Sequence, residues 1–333
     1  MINIANFLIT RRCNLTCDYC RLSGELDYVI KPKEYPNSKY YYENEKDCEW
    51  WIDIARKLKK QNPNVFIIIY GGEPVLYKRL TILLNGLNNL KVGYTVISNS
   101  KDRKTILDIF DDMVIKGWTG SVDPGFWLDN AIKDKSELEK SKMSFELLKE
   151  LKKKYPNTDY VAEITCDNNN IEYLESTIKR LSDEGIYSDV TLLDIAKNNY
   201  YDFSNITNEI NLVTYDKAKR EFDKILNRVS LLVHMKHTLL TEMLKIIPAN
   251  LDCKLGSNNI HNITIDSDGE LRLCLRIRGR FVPTIISEEY FTEMHLAALG
   301  HAIDADKSSL CKGCNWTCAL MSGMDSNAVL KHF

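Results

Sequence analysis

Three cysteines, Cys13, Cys17 and Cys20, stand in the run Cys13-Asn14-Leu15-Thr16-Cys17-Asp18-Tyr19-Cys20. Thiolates this close can wrap one face of a cubane iron–sulfur cluster, whose irons are normally held by four cysteines. With only three, one iron keeps an open coordination position, which separates a catalytic metal site from a closed structural one. The spacing points to chemistry at the cluster rather than electron storage, with a zinc knot as the plainer alternative. Five more cysteines, Cys253, Cys274, Cys311, Cys314 and Cys318, lie after residue 250. Met1–Thr10 has no basic region before its apolar stretch and no small-residue cleavage site, so no signal peptide is expected. In such a chain, clustered CxxC spacings favour metal ligands over disulfides. A third feature is Gly71-Gly72-Glu73-Pro74. Its glycines let backbone approach a ligand, and its carboxylate can accept from an ammonium group.

These residues need elements to hold them. Asn64–Tyr70 is a continuous apolar run, as expected for a strand buried on both faces of a parallel sheet. Further strands are expected at Ile2–Thr10, Lys91–Ser98, Lys116–Asp123, Asp159–Cys166 and Ser188–Asp194. Between them run amphipathic helices. One carries Ile171, Leu174, Ile178 and Leu181 and ends near Gly185; another, Ser136–Tyr155, stops before Pro156. Repeated strand–helix units imply a parallel sheet with right-handed crossovers, fitting residues 1 to about 235 as an open or partial barrel. The cysteine loop and the Gly-Gly-Glu-Pro turn both follow strands, on the rim where such folds carry active sites. Residues 198–213 read as a linker. Helical pattern returns from Thr214 to about Ile247, and Ile263–Cys274 reads as a β-hairpin around Ser267-Asp268-Gly269.

The pair CxxxCxφC, with Tyr19 as the aromatic, and GGEP about fifty residues later resembles the radical S-adenosylmethionine (SAM) superfamily over most of residues 1–200. The resemblance implies an α/β fold, a partial (β/α)6 barrel. Cys13, Cys17 and Cys20 would hold a [4Fe–4S] cluster whose fourth iron is chelated by SAM. Gly71, Gly72, Glu73 and Pro74 would meet the SAM amino group, and Tyr19 would lie near the adenine. Ser98, Asn99 and Ser121-Val122-Asp123 match regions that touch SAM ribose or carboxylate in the family, and Glu163 is a further cofactor-facing candidate. The implied activity is reductive cleavage of SAM to a 5′-deoxyadenosyl radical, which abstracts a hydrogen atom from a small polar metabolite or a peptide. Cys253, then Gly269 and Cys274, then Cys311-xx-Cys314-xxx-Cys318, resemble twitch or SPASM domains, so residues 236–333 would carry one auxiliary Fe–S cluster, a [4Fe–4S] by type. Cys253 and Cys274 would ligate it with two of Cys311, Cys314 and Cys318; three ligands and an open iron is the other arrangement. The reductant would be a flavodoxin or ferredoxin. Other readings are maturation of a ribosomal peptide or protein, modification of a nucleotide or base, and, in a different class, a non-catalytic iron–sulfur or zinc protein for electron transfer.

The composition sets limits. Net charge is −2 with 44 basic and 46 acidic residues, which disfavours duplex nucleic acid as a direct partner. No apolar run approaches the roughly 20 residues that span a bilayer, so a cytoplasmic protein is expected. Nothing before Met1–Thr10 resembles the leader-binding module that many peptide-modifying relatives carry, so a small molecule, or a short peptide bound without a leader domain, is expected. Arg272, Cys274, Arg276 and Arg278 share strand parity and would raise a cluster's potential or hold an anionic group, unless they simply face water. Glu163, Asp123 and Asp194 fall on the barrel interior by parity and are candidate proton acceptors. Cys48 shares a helical face with Trp51, Ala55 and Leu58; like Cys166 it reads as a buried hydrophobe. His234 and His237 read as packing residues, and Tyr40, Tyr41 and Tyr42 as a loop over the site or surface decoration.

Overall fold

The computed structural model describes residues 2–15, 44–128, 132, 135–192, 213–228, 230–233, 262–269 and 271–272. Six strands follow one another in parallel: β1 (Ile4–Thr10), β2 (Phe66–Gly71), β3 (Gly93–Ser98), β4 (Gly117–Ser121), β5 (Asp159–Cys166) and β6 (Tyr187–Leu192). A seventh, β7 (Asn262–Ile265), joins the other side of β1, also in parallel, and turns back through the short antiparallel β8 (Leu271–Arg272). The order β6-β5-β4-β3-β2-β1-β7-β8 is a sheet curled into an α/β half-barrel. Every strand expected from the sequence forms within two residues of its expected ends.

The helices form where an apolar stripe meets the sheet. In α1 (Cys48–Gln61), Asp47 caps the N-terminus by accepting from the Trp50 amide at 2.8 Å, and Cys48, Trp51, Ile54, Ala55 and Leu58 turn inward. Trp51 packs on Phe7 of β1 at 4.8 Å between ring centroids. The next helices, α2 (Leu80–Leu90), α3 (Arg103–Asp112), α4 (Lys135–Lys154) and α5 (Leu174–Asp183), follow the alternation seen in the sequence. A 3₁₀ turn, Ile171–Tyr173, precedes α5, and Gly185 ends it at φ +68°.

Two expectations are corrected. β2 is not buried on both faces: Ile67 and Ile69 face the helices and are fully buried, while Phe66, Ile68 and Tyr70 on the concave face keep partial exposure. A half-barrel has a helical layer on its outer side only. The helix expected from Thr214 to Ile247 is the shorter α6 (Tyr215–Leu226). After it, Val233 bridges in parallel to Ser188, whose amide donates to the Leu232 carbonyl at 3.0 Å. Among the described residues β6 is the outermost strand, and pairing with its outer side draws this segment out of helix. His234, His237, Asp194, Tyr40–Tyr42, Arg276, Arg278 and most of the 198–213 linker lie outside the described residues. Arg272 is described in its backbone, and Leu271 beside it is buried in the core. Among the described residues no helix is long and apolar enough to cross a membrane.

The β7–β8 hairpin is tied to β1 by side chains as well as by the ladder. Asn6 Nδ2 donates to the Ile263 carbonyl at 3.0 Å, and the Lys46 amide donates to the Ser267 carbonyl at 2.7 Å. Arg11, at the end of β1, grips Asp266 with both arms of its fork, Nε to Oδ1 at 3.0 Å and Nη2 to Oδ2. Arg11 is 7% exposed and Asp266 is fully buried. Removing one partner of a buried pair strands the other, at a cost of about 3–5 kcal/mol, whereas an apolar replacement of both costs far less. Asp266→Leu should therefore lower unfolding free energy in urea by a few kcal/mol, and Arg11→Met/Asp266→Leu should recover most of the loss; a double variant no better than the single would discount the pair.

A candidate active site at the strand ends

The first three strands converge at their C-terminal ends, where the Gly-Gly-Glu-Pro turn lies against the chain entering the cysteine run. The ladder between β1 and β2 slips by a residue, pairing Leu8 with Tyr70 and Thr10 with Gly71. Pairing then continues past both strands: the Gly72 amide donates to the Thr10 carbonyl at 2.8 Å and the Glu73 amide to the Arg12 carbonyl at 2.6 Å. This approach requires glycine. A Cβ on Gly71 would lie 2.3 Å from the Thr10 carbonyl oxygen, and one on Gly72 would lie 2.2 Å from that of Arg12. Both are closer than any real Cβ contact, and the obstacle is backbone that cannot swing aside.

Glu73 is the knot behind the turn. It is fully buried, and its Oε1 accepts from the Ser98 hydroxyl at 2.9 Å and the Val75 amide at 3.3 Å, while Oε2 accepts from the Asn99 amide at 2.7 Å. Burial pushes its carboxyl up to about 7, and these three donors oppose the rise. With no exposed surface, its carboxylate is engaged by these three donors. Pro74 is buried at the start of the 3₁₀ turn Pro74–Leu76. Ser98 is 1% exposed and spends its hydroxyl on Glu73, so it too points away from open space.

Asn99 faces the other way. Its Nδ2 reaches Asn14 Oδ1 at 2.8 Å and the sulfur of Cys13 at 3.7 Å. Lys101 adds a contact from Nζ to the Asn14 carbonyl at 2.9 Å. The entry to the cysteine run is thus held by β2's turn on one side and by β3's end on the other. Cys13 is half-buried at this rim. Cys17, Tyr19 and Cys20 lie outside the described residues, as do Cys253, Cys274, Cys311, Cys314 and Cys318. What is described suits an iron–sulfur group: a thiolate donor lies on the strand-end rim, beside a backbone turn with no room for side chains and an amide donor aimed at its sulfur.

Further round the rim, the concave face carries charge. Ser121 of β4, Glu163 of β5 and Asp189 of β6 occupy one level, since Ser121 pairs with Glu163 and Glu163 with Asp189. Ser121, Glu163 and Asp189 all keep partial exposure, although protein surrounds both carboxyl groups. Burial, then the neighbouring Asp189, pushes Glu163 up to about 7, with Lys140 opposing; burial pushes Asp189 up to about 6, against the Val190 amide. Asp123 is different: it is 3% exposed, paired with the buried Lys140 at 2.8 Å and hydrogen-bonded by the Ser141 hydroxyl at 3.0 Å. Val122 is fully buried and faces away from the site. Sequence reading missed Asp189. The signal was present in Val190 and Leu192, whose apolar parity turns Asp189 to the concave side. It also missed Lys140, one cationic position within a lysine-rich helix. Cys48 and Cys166 are buried thiols pushed upward by burial, Cys48 to about 11, as expected of packing residues rather than nucleophiles.

Comparison with known proteins comes to the same place. The family model of the Radical SAM superfamily matches residues 7–181, more than half of the chain. A comparison with curated proteins gives no match. Among solved structures, Streptococcus suis SuiB bound to S-adenosylmethionine is 14% identical with a TM-score of 0.62, over 88% of this chain and 65% of that one. SuiB bound to the precursor peptide SuiA is 14% identical with a TM-score of 0.59, over 98% and 72%. Native anSMEcpe with bound AdoMet and Cp18Cys peptide is 15% identical with a TM-score of 0.55, over 95% and 87%. At such identities the likeness is one of fold. The chain spans about two thirds of the length of the SuiB structures.

Two outcomes follow from this geometry. Gly72→Ala should push the turn off the Arg12 carbonyl, and anaerobic reconstitution should then load less iron per chain than the wild type. Glu163 has a folded pKa above its unfolded value, so its ionised form costs stability, a cost absent below about pH 4 and complete above about pH 7. Glu163→Gln should therefore raise the melting temperature at pH 8 and leave it unchanged near pH 4. An equal rise at both would refute the titration.

Proposed function

This chain belongs to the radical SAM superfamily, and we propose that it is an enzyme that reductively cleaves SAM and takes a hydrogen atom from a peptide substrate. Members of the superfamily carry a [4Fe–4S] cluster and use SAM. When bound, the cluster supplies the electron that cleaves SAM, giving the 5′-deoxyadenosyl radical that attacks the substrate. Cys13, Cys17 and Cys20 would hold it, leaving one iron for SAM. Gly71–Pro74 would meet the SAM amino group, Tyr19 would lie against the adenine, and Ser121 would border the ligand. Glu163 and Asp189, poised near neutrality on the concave face, would accept the proton released when a substrate radical is oxidised.

The observation that carries this reading is the joining of the Cys13 entry, the Gly71–Pro74 turn and Asn99 on one rim of a parallel half-barrel. A peptide substrate draws support from two structural relatives, SuiB with SuiA and anSMEcpe with Cp18Cys peptide. That moves the reading away from the small metabolite considered from the sequence. In residues 236–333, Cys253, Cys274 and two of Cys311, Cys314 and Cys318 would hold an auxiliary cluster that receives an electron from the substrate radical. A flavodoxin or ferredoxin would supply the electron for SAM. Burial in a barrel suits this chemistry, because a primary carbon radical must be kept from water and stray donors.

Anaerobically reconstituted protein given dithionite and SAM should form 5′-deoxyadenosine by chromatography. Cys17→Ala should abolish it, whereas Cys314→Ala and Cys318→Ala should retain part of the cleavage, uncoupled from product. No 5′-deoxyadenosine from fully loaded protein would leave a non-catalytic iron–sulfur protein as the better reading.

A further inference from the structure

We infer that Asn99 is a positioning residue for the cluster rather than a SAM contact: its side-chain amide donates to the Cys13 thiolate and so sets how readily the cluster is reduced. The inference rests on the proposed placement of a cluster at Cys13.

The direction of the amide is fixed by its surroundings. Oδ1 accepts from the Lys101 amide at 2.9 Å, which assigns the oxygen and leaves Nδ2 facing the cysteine loop. Nδ2 then has two acceptors, Asn14 Oδ1 at 2.8 Å and Cys13 Sγ at 3.7 Å, within the range of N–H···S hydrogen bonds. The main chain is fixed as well. Asn99 N–H sits on Glu73, which itself belongs to the turn paired with Thr10 and Arg12. The amide is therefore carried on a frame anchored to the same strand that delivers Cys13.

The following residue pays for this arrangement in backbone strain. Ser100 is fully buried at φ +63°, a left-handed conformation that strains a non-glycine residue. Its amide donates to Ser98 Oγ at 3.0 Å, and its hydroxyl shares a hydrogen with Ser144 Oγ at 3.0 Å. Strain persists at such a position when the surroundings over-determine it, and it commonly marks a functional one. Chemically, a hydrogen bond to a ligating sulfur draws electron density from the cluster and stabilises its reduced, more negative state.

The test is a potentiometric EPR titration of the reconstituted full chain. The N-terminal cluster is identified as the signal that SAM perturbs and that Cys17→Ala removes. Asn99→Asp keeps an oxygen for the Lys101 amide but turns an acceptor toward the sulfur, and Asn99→Ala removes the donor alone. Both should make reduction at least tenfold less favourable, a midpoint lower by about 59 mV for one electron. Asn14→Ala, which deletes the competing acceptor and leaves the donor, should not lower it. Electron–nuclear double resonance on the wild type should show an exchangeable proton coupled to the cluster and missing in Asn99→Asp. That measurement needs no variant to establish the coupling, so poor loading of Asn99→Ala does not spare the idea. An unchanged midpoint in both Asn99 variants, or no coupled exchangeable proton in the wild type, overturns the inference alone. Absence of any SAM-sensitive signal in the wild type overturns the proposed function and this inference together.

Discussion

Two backbone hydrogen bonds beyond the ends of β1 and β2 set the geometry of the rim: Gly72 N–H to the Thr10 carbonyl and Glu73 N–H to the Arg12 carbonyl. They extend a parallel pairing where strands ordinarily part, and they bring the chain's first cysteine against a turn that has no side chains on its near face. The glycines permit it by occupying no space. Glu73 secures it from behind, spending a buried carboxylate on three donors from β3's end and the turn itself. A buried carboxylate is costly without such partners. Here its hydrogen bonds make three consecutive strand ends one unit.

The same construction recurs on the other side of β1. Arg11 and Asp266 form a desolvated fork between the strand that leads into the cysteine run and the hairpin at 262–272. Buried ion pairs contribute little net stability compared with apolar packing, yet they fix registry, because any shift leaves a charge stranded. Thr10 and Arg12 are thus oriented by the Gly-Gly-Glu-Pro turn and Arg11 by the hairpin, in alternation along one short stretch. This ties the described hairpin residues to the strand that leads into the cysteine run.

Charge near the rim is divided between committed and available groups. Asp123 is neutralised by Lys140 and Ser141 beneath α4, whereas Glu163 and Asp189 sit side by side on neighbouring strands with raised pKa values. The Asp189 carboxylate adds to burial in discouraging the ionisation of Glu163. That pairing depends on the register between β5 and β6 and on the pleat, which put both groups on the same side at the same height.

The sequence by itself determined the fold class, the strands to within two residues, and which residue types could do chemistry, because period-two and period-3.6 apolar patterns and cysteine spacing are local properties of the chain. It could not show that Glu73 ties the turn to β3, since that depends on where Ser98 and Asn99 come to rest. Nor could it separate Asp123 from Glu163, alike in parity and chemistry, before α4 delivered Lys140 to one of them. Asp189 was readable from Val190 and Leu192, whose apolar parity leaves it on the other face of the strand. The end of α6 was invisible for the same reason: its residues continue a helical pattern, and the competing partner is an edge strand some forty residues earlier in the chain. Tertiary structure alone decided these matters, because a hydrogen bond or ion pair between distant residues is fixed by the packing that brings them together and leaves no period in the sequence.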